Sequence, residues 1–180
     1  EQDECALNSQ LKAAAARQQG KFKGEIIPLT VKNRKEEIVF DSDEYIRENA
    51  TLDGMAKLKP AFKKDGTVTA GNASGINDGA AAVIVMSDAK CREMDVRPMA
   101  YIHGYALVGL RPDMMGMGPV DAIRKLKAKL NFKMDDIGLW ECNEAFASQS
   151  IAVIRELGLP PEKVNVNGGA IAIGHPIGAS

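Results

Sequence analysis

The sequence predicts an α/β protein, and three observations carry that expectation. β-like apolar runs alternate with helical patterns between residues 99 and 166, a layer pattern rather than that of a bundle or a sandwich. Pro119 stands at the first turn of a helix whose Val120, Ile123, Leu126 and Leu130 form one apolar stripe. Asn143 opens a second long helix that Gly158 closes, with Pro160 just beyond.

In chain order, residues 4–19 place Leu7, Leu11, Ala14 and Ala15 on one helical face, and Gly20 sits where a C-terminal glycine belongs. Residues 25–31 and 37–40 read as two β runs joined by the polar segment 32–36, a hairpin whose Pro28 keeps the first run at a sheet edge. Asp41-Ser42-Asp43 can cap a short helix carrying Tyr45 and Ile46, and Thr51 can cap another that Pro60 stops. Residues 67–79 are dense in glycine, asparagine and hydroxyls, a set of tight turns or a surface for a ligand's backbone. The apolar strand 80–86 follows. Ser87 can cap a helix to about Asp95. Residues 99–110 read as a second long strand interrupted at Gly104 and Gly109, and residues 137–141 as a brief one.

Composition removes several function classes. A formal net charge of −1 gives nucleic acid no electrostatic grip, and the apolar run 80–86 is far too short to cross a bilayer. Three widely spaced cysteines, at 5, 91 and 142 and without a C-x-x-C, fit a reducing cytosol better than a disulfide framework or a metal site. The chain has no initiator methionine and opens directly into a helical pattern, which makes a missing upstream portion the expectation.

The chemistry-bearing stretch is Asn165 to Ser180, with one histidine at its centre. Residues 164–167 read as a buried strand, Gly168 and Gly169 as a sharp turn, and Gly178-Ala179-Ser180 as the opening of a helix. Pro176 pushes His175 toward extended backbone, so the imidazole is presented from a stiff loop. Alone, such a histidine is more often structural than catalytic, and Asn143 alone reads as a plain helix cap.

Three motifs change that balance: Asn143-Glu144-Ala145-Phe146-Ala147, Gly174-His175-Pro176-Ile177-Gly178-Ala179-Ser180, and the segment 72–80 around Asn72-Ala73-Ser74-Gly75. In their order along the chain and their approximate spacing they resemble the thiolase family of acyl-CoA acetyltransferases over all 180 residues, most closely the acetyl-CoA C-acetyltransferase (acetoacetyl-CoA) type. The resemblance implies a layered α-β-α-β-α fold with an inserted loop domain. Residues 1–75 are then the latter part of the CoA-binding loop domain, 76–98 the end of the N-terminal half, and 99–180 the first part of the C-terminal half.

It also implies an acyl-transfer chemistry in which a cysteine thiolate carries the acetyl group and a second cysteine removes a proton from acetyl-CoA. His175 would activate the nucleophile and, with a water held by Asn143, form an oxyanion hole. Ser74 would meet the pantetheine of CoA, Ala70, Phe62, Ile76, Met115 and Phe146 would line its channel, and Arg47 and Gln10 would lie toward the nucleotide. The family pattern places one reacting cysteine before Glu1 and the other, in Cys-x-Gly-Gly-Gly, after Ser180. Cys142 matches a small core position, and His103 has no part in the pattern.

The expectation is thus an internal part of a cytoplasmic, homo-oligomeric thiolase, with CoA thioesters as substrates, no cofactor, metal, nucleic acid or membrane partner, and no turnover by this chain alone. The alternative from another class is a non-catalytic chain that binds CoA or a partner subunit. A ketoacyl-synthase-like condensing enzyme is a third reading, against which the Asn143 motif argues. An isolated chain of this kind should expose the apolar faces of residues 80–86 and of the helix at Val120.

Overall fold

Helix α1, Gln2–Gln18, is the element the interior is built on; the computed structural model describes residues 1–34 and 36–179. The helix ends at Gln19, and Gly20 follows at φ +71°. Its buried face overlaps the predicted stripe only in part, with Ala14 buried and Leu7 half-buried against the core. Ala6, Ser9, Gln10, Ala13, Ala14 and Ala16 are inside, whereas Leu11 is 49% exposed and Ala15 lies outside. Small and hydrogen-bonding residues take the inner face because α6 (Ala170–Ile173) and α5 (Ala147–Leu157) pack directly against it. A leucine there would overpack the contact.

Strands β1 (Leu29–Asn33) and β2 (Glu36–Phe40) form an antiparallel hairpin, Leu29 opposite Phe40 and Val31 opposite Ile38. The hairpin is the predicted one with a tighter turn than the expected connector 32–36, of which Lys35 lies outside the described residues. No helix follows Asp41-Ser42-Asp43; residues 41–50 run in bends and turns around the buried Ile46. Helix α2 (Leu52–Ala56) starts at Thr51, whose Oγ1 accepts from Gly54 N at 3.1 Å. Ser87 caps α3 (Asp88–Glu93) in the same way.

The two long apolar runs do not form the predicted strands, although residues 80–86 show the exposure expected of them. Among the described residues, 80–86 and 99–110 join no ladder, and the side chains of Val83, Ile84, Val85, Met99, Ile102 and Leu107 are exposed. A strand is made by its neighbour's N–H and C=O groups as much as by its own residues, and β1–β2 is the only sheet among these residues. Residues 137–141 and 164–167 likewise reduce to one parallel bridge, Trp140 with Val164. Asn165, at φ +46°, ends that pairing, and its side chain takes over: Oδ1 accepts from Cys142 N at 2.7 Å and Nδ2 donates to Cys142 O at 2.8 Å.

Helix α4 (Gly118–Leu130) carries Pro119 in its first turn as expected, but Val120 is buried rather than exposed. Helix α5 begins later than predicted, with Phe146 and not Asn143 at its N-cap, and ends on Gly158 in the left-handed region. Trp140, Leu159 and Val164 form a core under α4 and α5. Ala6, Met55, Ala147 and Ile171 form a second one where α1, α2, α5 and α6 meet.

Candidate functional site

The three motifs converge although they are up to about a hundred positions apart in the chain. Ala73 pairs antiparallel with Phe146, and Ile76 pairs parallel with His175. Ser74 N and Ser74 Oγ both donate to Ala145 O, at 3.0 and 3.1 Å, and His175 N donates to Gly75 O at 3.3 Å. Segment 72–76 is therefore a splint between the Asn143 loop and the His175 loop.

His175 is half-buried and Asn143 exposed; Asn143 Nδ2 lies 3.4 Å from His175 Nε2. The two side chains are within reach of each other, and the tautomer of the imidazole decides which ring nitrogen donates and which accepts. The loop geometry that aims the imidazole depends on Gly174, at φ +92°, where an added Cβ would also overlap Asn77 Oδ1.

A cleft of about 390 Å³ is lined among others by Gln10, Tyr45, Arg47, Ala70 and Ile171; neither Asn143 nor His175 lines it. The chain leaves its wall at Gly71 and runs through Ser74 to the Ile76–His175 bridge, so cleft and pair share one continuous segment. The Arg47 guanidinium sits 5.9 Å from the centre of the Tyr45 ring with its side chain exposed, and supplies positive charge at the rim. Phe62 and Phe146 meet edge to face, ring centres 6.0 Å apart.

The family description "Thiolase, N-terminal domain" matches residues 1–89, and "Thiolase, C-terminal domain" matches residues 96–180. The chain belongs to the thiolase family. An acetyl-CoA acetyltransferase of Chromobacterium violaceum is 58% identical over 181 residues, covering 100% of this chain and 46% of that protein. The crystal structure of the Bacillus anthracis acetyl-CoA acetyltransferase superposes with a TM-score of 0.95 at 50% identity, covering 98% of this chain and 45% of that one. That of human mitochondrial 3-ketoacyl-CoA thiolase gives 0.96 at 48% identity, covering 100% and 46%. The chain thus spans about half the length of the relatives it matches, and its fold is the α/β thiolase fold.

Within this thiolase chain the remaining candidate residues fall in two groups. Ala70, Arg47 and Gln10 border the cleft, but the Gln10 amide is engaged inside the protein. Its Nε2 donates to Ile171 O at 3.2 Å and its Oε1 accepts from Arg47 N at 2.8 Å. Phe62, Ile76 and Met115 are strongly exposed, Met115 on a 3-10 turn (Pro112–Met117) that packs against α4 and α5. The Ser74 hydroxyl spends its proton on Ala145 and keeps lone pairs to accept with.

Glu144 was part of a recognised motif, yet no role for it was legible in the sequence. It is buried, and it accepts from Ser9 Oγ at 2.6 Å, from Asn165 Nδ2 at 2.9 Å and from Ile171 N at 3.3 Å. A charged residue inside an apolar-flanked motif was the one available signal.

None of the three free cysteines is bonded to His175 among the described residues. Cys142 packs against the Trp140 cluster, and burial followed by the charges of Glu141 and Glu144 pushes its thiol pKa up. Cys5 is raised by burial first and then by Glu144. A nucleophilic cysteine requires the opposite shift.

Proposed function

We propose that the whole protein to which this chain belongs is a thiolase that joins two acetyl-CoA into acetoacetyl-CoA, or cleaves a 3-ketoacyl-CoA with CoA, through a cysteine acyl-enzyme. The observation that carries this reading is the convergence of Asn143 and His175, 3.4 Å apart, on the splint that leads to the Arg47-rimmed cleft.

In this reading His175 takes the proton of the nucleophilic thiol. The thiolate adds to the thioester carbonyl of acetyl-CoA, the carbon–sulfur bond to CoA breaks, and the departing CoA sulfur receives the proton back from the imidazolium. A thiolate of the second cysteine then removes the α-proton of another acetyl-CoA. The carbanion attacks the acetylated cysteine, a carbon–carbon bond forms, and the first thiolate leaves. The negative charge that builds on the thioester oxygen is met by the His175 N–H and by a water that the Asn143 amide holds, a donor pair in which each member is worth about 2.7–4 kcal/mol. Both reacting cysteines occupy family positions outside residues 1–180, so this polypeptide by itself is expected to show no turnover.

Ser74 accepts from the pantetheine, with Ala70, Phe62, Ile76, Met115 and Phe146 along the channel; Arg47 marks its nucleotide end, and the buried Gln10 acts there only by holding Arg47 N. CoA thioesters are substrates here and no cofactor is needed. The protein works in the cytoplasm, a reading supported by three unpaired thiols, and as a homo-oligomer, supported by the exposed Leu29, Val31, Val39 and Phe40 of the hairpin. Acetoacetyl-CoA cleavage by the whole protein tests the reading. His175→Ala should lower turnover by about 10²–10⁴-fold, and near-parental kinetics would remove His175 from the chemistry.

A further inference from the structure

The catalytic pair sits on two loops, and the side chains that fix those loops to one another lie beneath it. Asn143 is exposed and has no described hydrogen bond but the one to His175. Its neighbour in the chain, Glu144, points the other way, into the interior, and is 6% exposed. Among the described residues, the carboxylate there has no cation bonded to it. It is held instead by three donors from two different elements: Ser9 of α1, and Asn165 and Ile171 of the segment that delivers His175. Ser9 Oγ in turn accepts from Gly169 N at 3.0 Å, so the carboxylate and the hydroxyl together engage both ends of the turn that opens α6. That turn is moulded to the carboxylate, since a Cβ on Gly169 would come within 2.6 Å of each Glu144 oxygen.

From Ile171 the chain needs only one helical turn, through Ile173 and Gly174, to reach His175. The backbone of Asn143 is one peptide unit from Glu144. Resting on the thiolase reading above, we infer that Glu144 is a positioning residue: its buried carboxylate clamps the Asn143 loop to the α6 turn, and so sets the distance and orientation of the Asn143 amide relative to His175. Two carboxylate oxygens accept all three donors. A glutamine of the same shape has one acceptor oxygen and an N–H₂ that faces donors, so one donor must lose its partner and the turn must shift. Misplacement by about 1 Å in a site of this kind costs about 10²-fold in rate.

The test is Glu144→Gln in the whole protein, alone and combined with Asn143→Ala. If the residue acts through the pair, kcat falls about 10²-fold with KM for acetoacetyl-CoA within about 2-fold of the parent, and the same change in the Asn143→Ala background costs less than about 2-fold more. A folded Glu144→Gln protein with parental kcat, or one with equal losses in both backgrounds, overturns the inference. Should Glu144→Gln fail to fold, Ser9→Ala removes the link between the carboxylate and Gly169 N. A fall in kcat at constant KM is then expected, and an unchanged kcat overturns it.

A second readout does not depend on turnover. With ¹³C-labelled histidine, the His175 ring signal should move in Glu144→Gln while that of His103 stays in place. An unmoved His175 signal overturns the clamp whatever the kinetics show. A shifted signal in a protein whose parent has no thiolase activity sinks the functional reading and leaves the clamp standing.

Discussion

The inner face of α1 and the run 80–86 are both rich in alanine, and they meet opposite fates. Ala6, Ala13, Ala14 and Ala16 are sealed against α5 and α6, whereas Ala80 to Val85 are exposed. The difference lies in where the backbone hydrogen bonds go. A helix satisfies its own N–H and C=O groups and needs a neighbour only for packing. A strand needs a second strand before it exists as an element. Residues 80–86 and 99–110 find none among the described residues, and most of their apolar side chains stay exposed even where 99–110 runs beside α4, at Tyr105 and Gly104.

Paired substitutions break or sharpen that comparison. The largest effect is expected at Ile171, 2% exposed between α1 and α2, where truncation to alanine should cost about 2–5 kcal/mol in urea unfolding. Ile84→Ala, at a residue 88% exposed, should stay within about 0.5 kcal/mol. Equal costs at the two positions would mean that the exposed run is packed in solution.

Next in size is Gly174→Ala. A side chain at φ +92° that also overlaps Asn77 should lower stability by about 1–3 kcal/mol. A neutral result would show that the His175 loop adapts freely.

Alkylation reports on the packed region more gently. The Cys142 thiol pKa is raised by burial and then by Glu141 and Glu144, so its thiolate fraction at any given pH is smaller folded than unfolded. With Cys5 and Cys91 changed to serine, the pH midpoint of its reaction with iodoacetamide should be more alkaline in buffer than in urea. An equal or lower midpoint would reopen Cys142 as a nucleophile.

The smallest effect concerns Glu141, whose carboxyl pKa is raised by burial first and by Glu144 second. Because the folded value lies above the unfolded one, its stabilising contribution is present below the ordinary glutamate range and is lost as pH rises through the raised value. At neutral pH the charge opposes folding, so Glu141→Gln should raise the melting temperature slightly at pH 7 and not at pH 3.5. A gain of the same size at both pH values would assign it to something other than this charge.

Local signals in the sequence were read correctly where one residue decides the outcome. Thr51 and Ser87 cap their helices, Pro119 opens α4, and Gly158 closes α5. Asn143 has the side-chain type of a cap but does not act as one: the helix starts at Phe146, which the Ala73 bridge holds extended. On α1 the predicted stripe is displaced, with Leu7 and Ala14 turned inward but Leu11 and Ala15 exposed, because periodicity ranks hydrophobicity and not the space left by a neighbour.

The three motifs, and with them the thiolase family and the identity of His175, Asn143 and Ser74 as site candidates, were fixed by residue order alone. That the motifs meet, that Ser74 splints the other two, and that Glu144 faces inward to clamp them was decided only by the tertiary structure. Those facts depend on hydrogen bonds between residues as far apart as Ser9 and Glu144 or Gly169. No local pattern encodes such a partner, because the geometry of a buried polar group is set by whichever distant donors the fold brings to it.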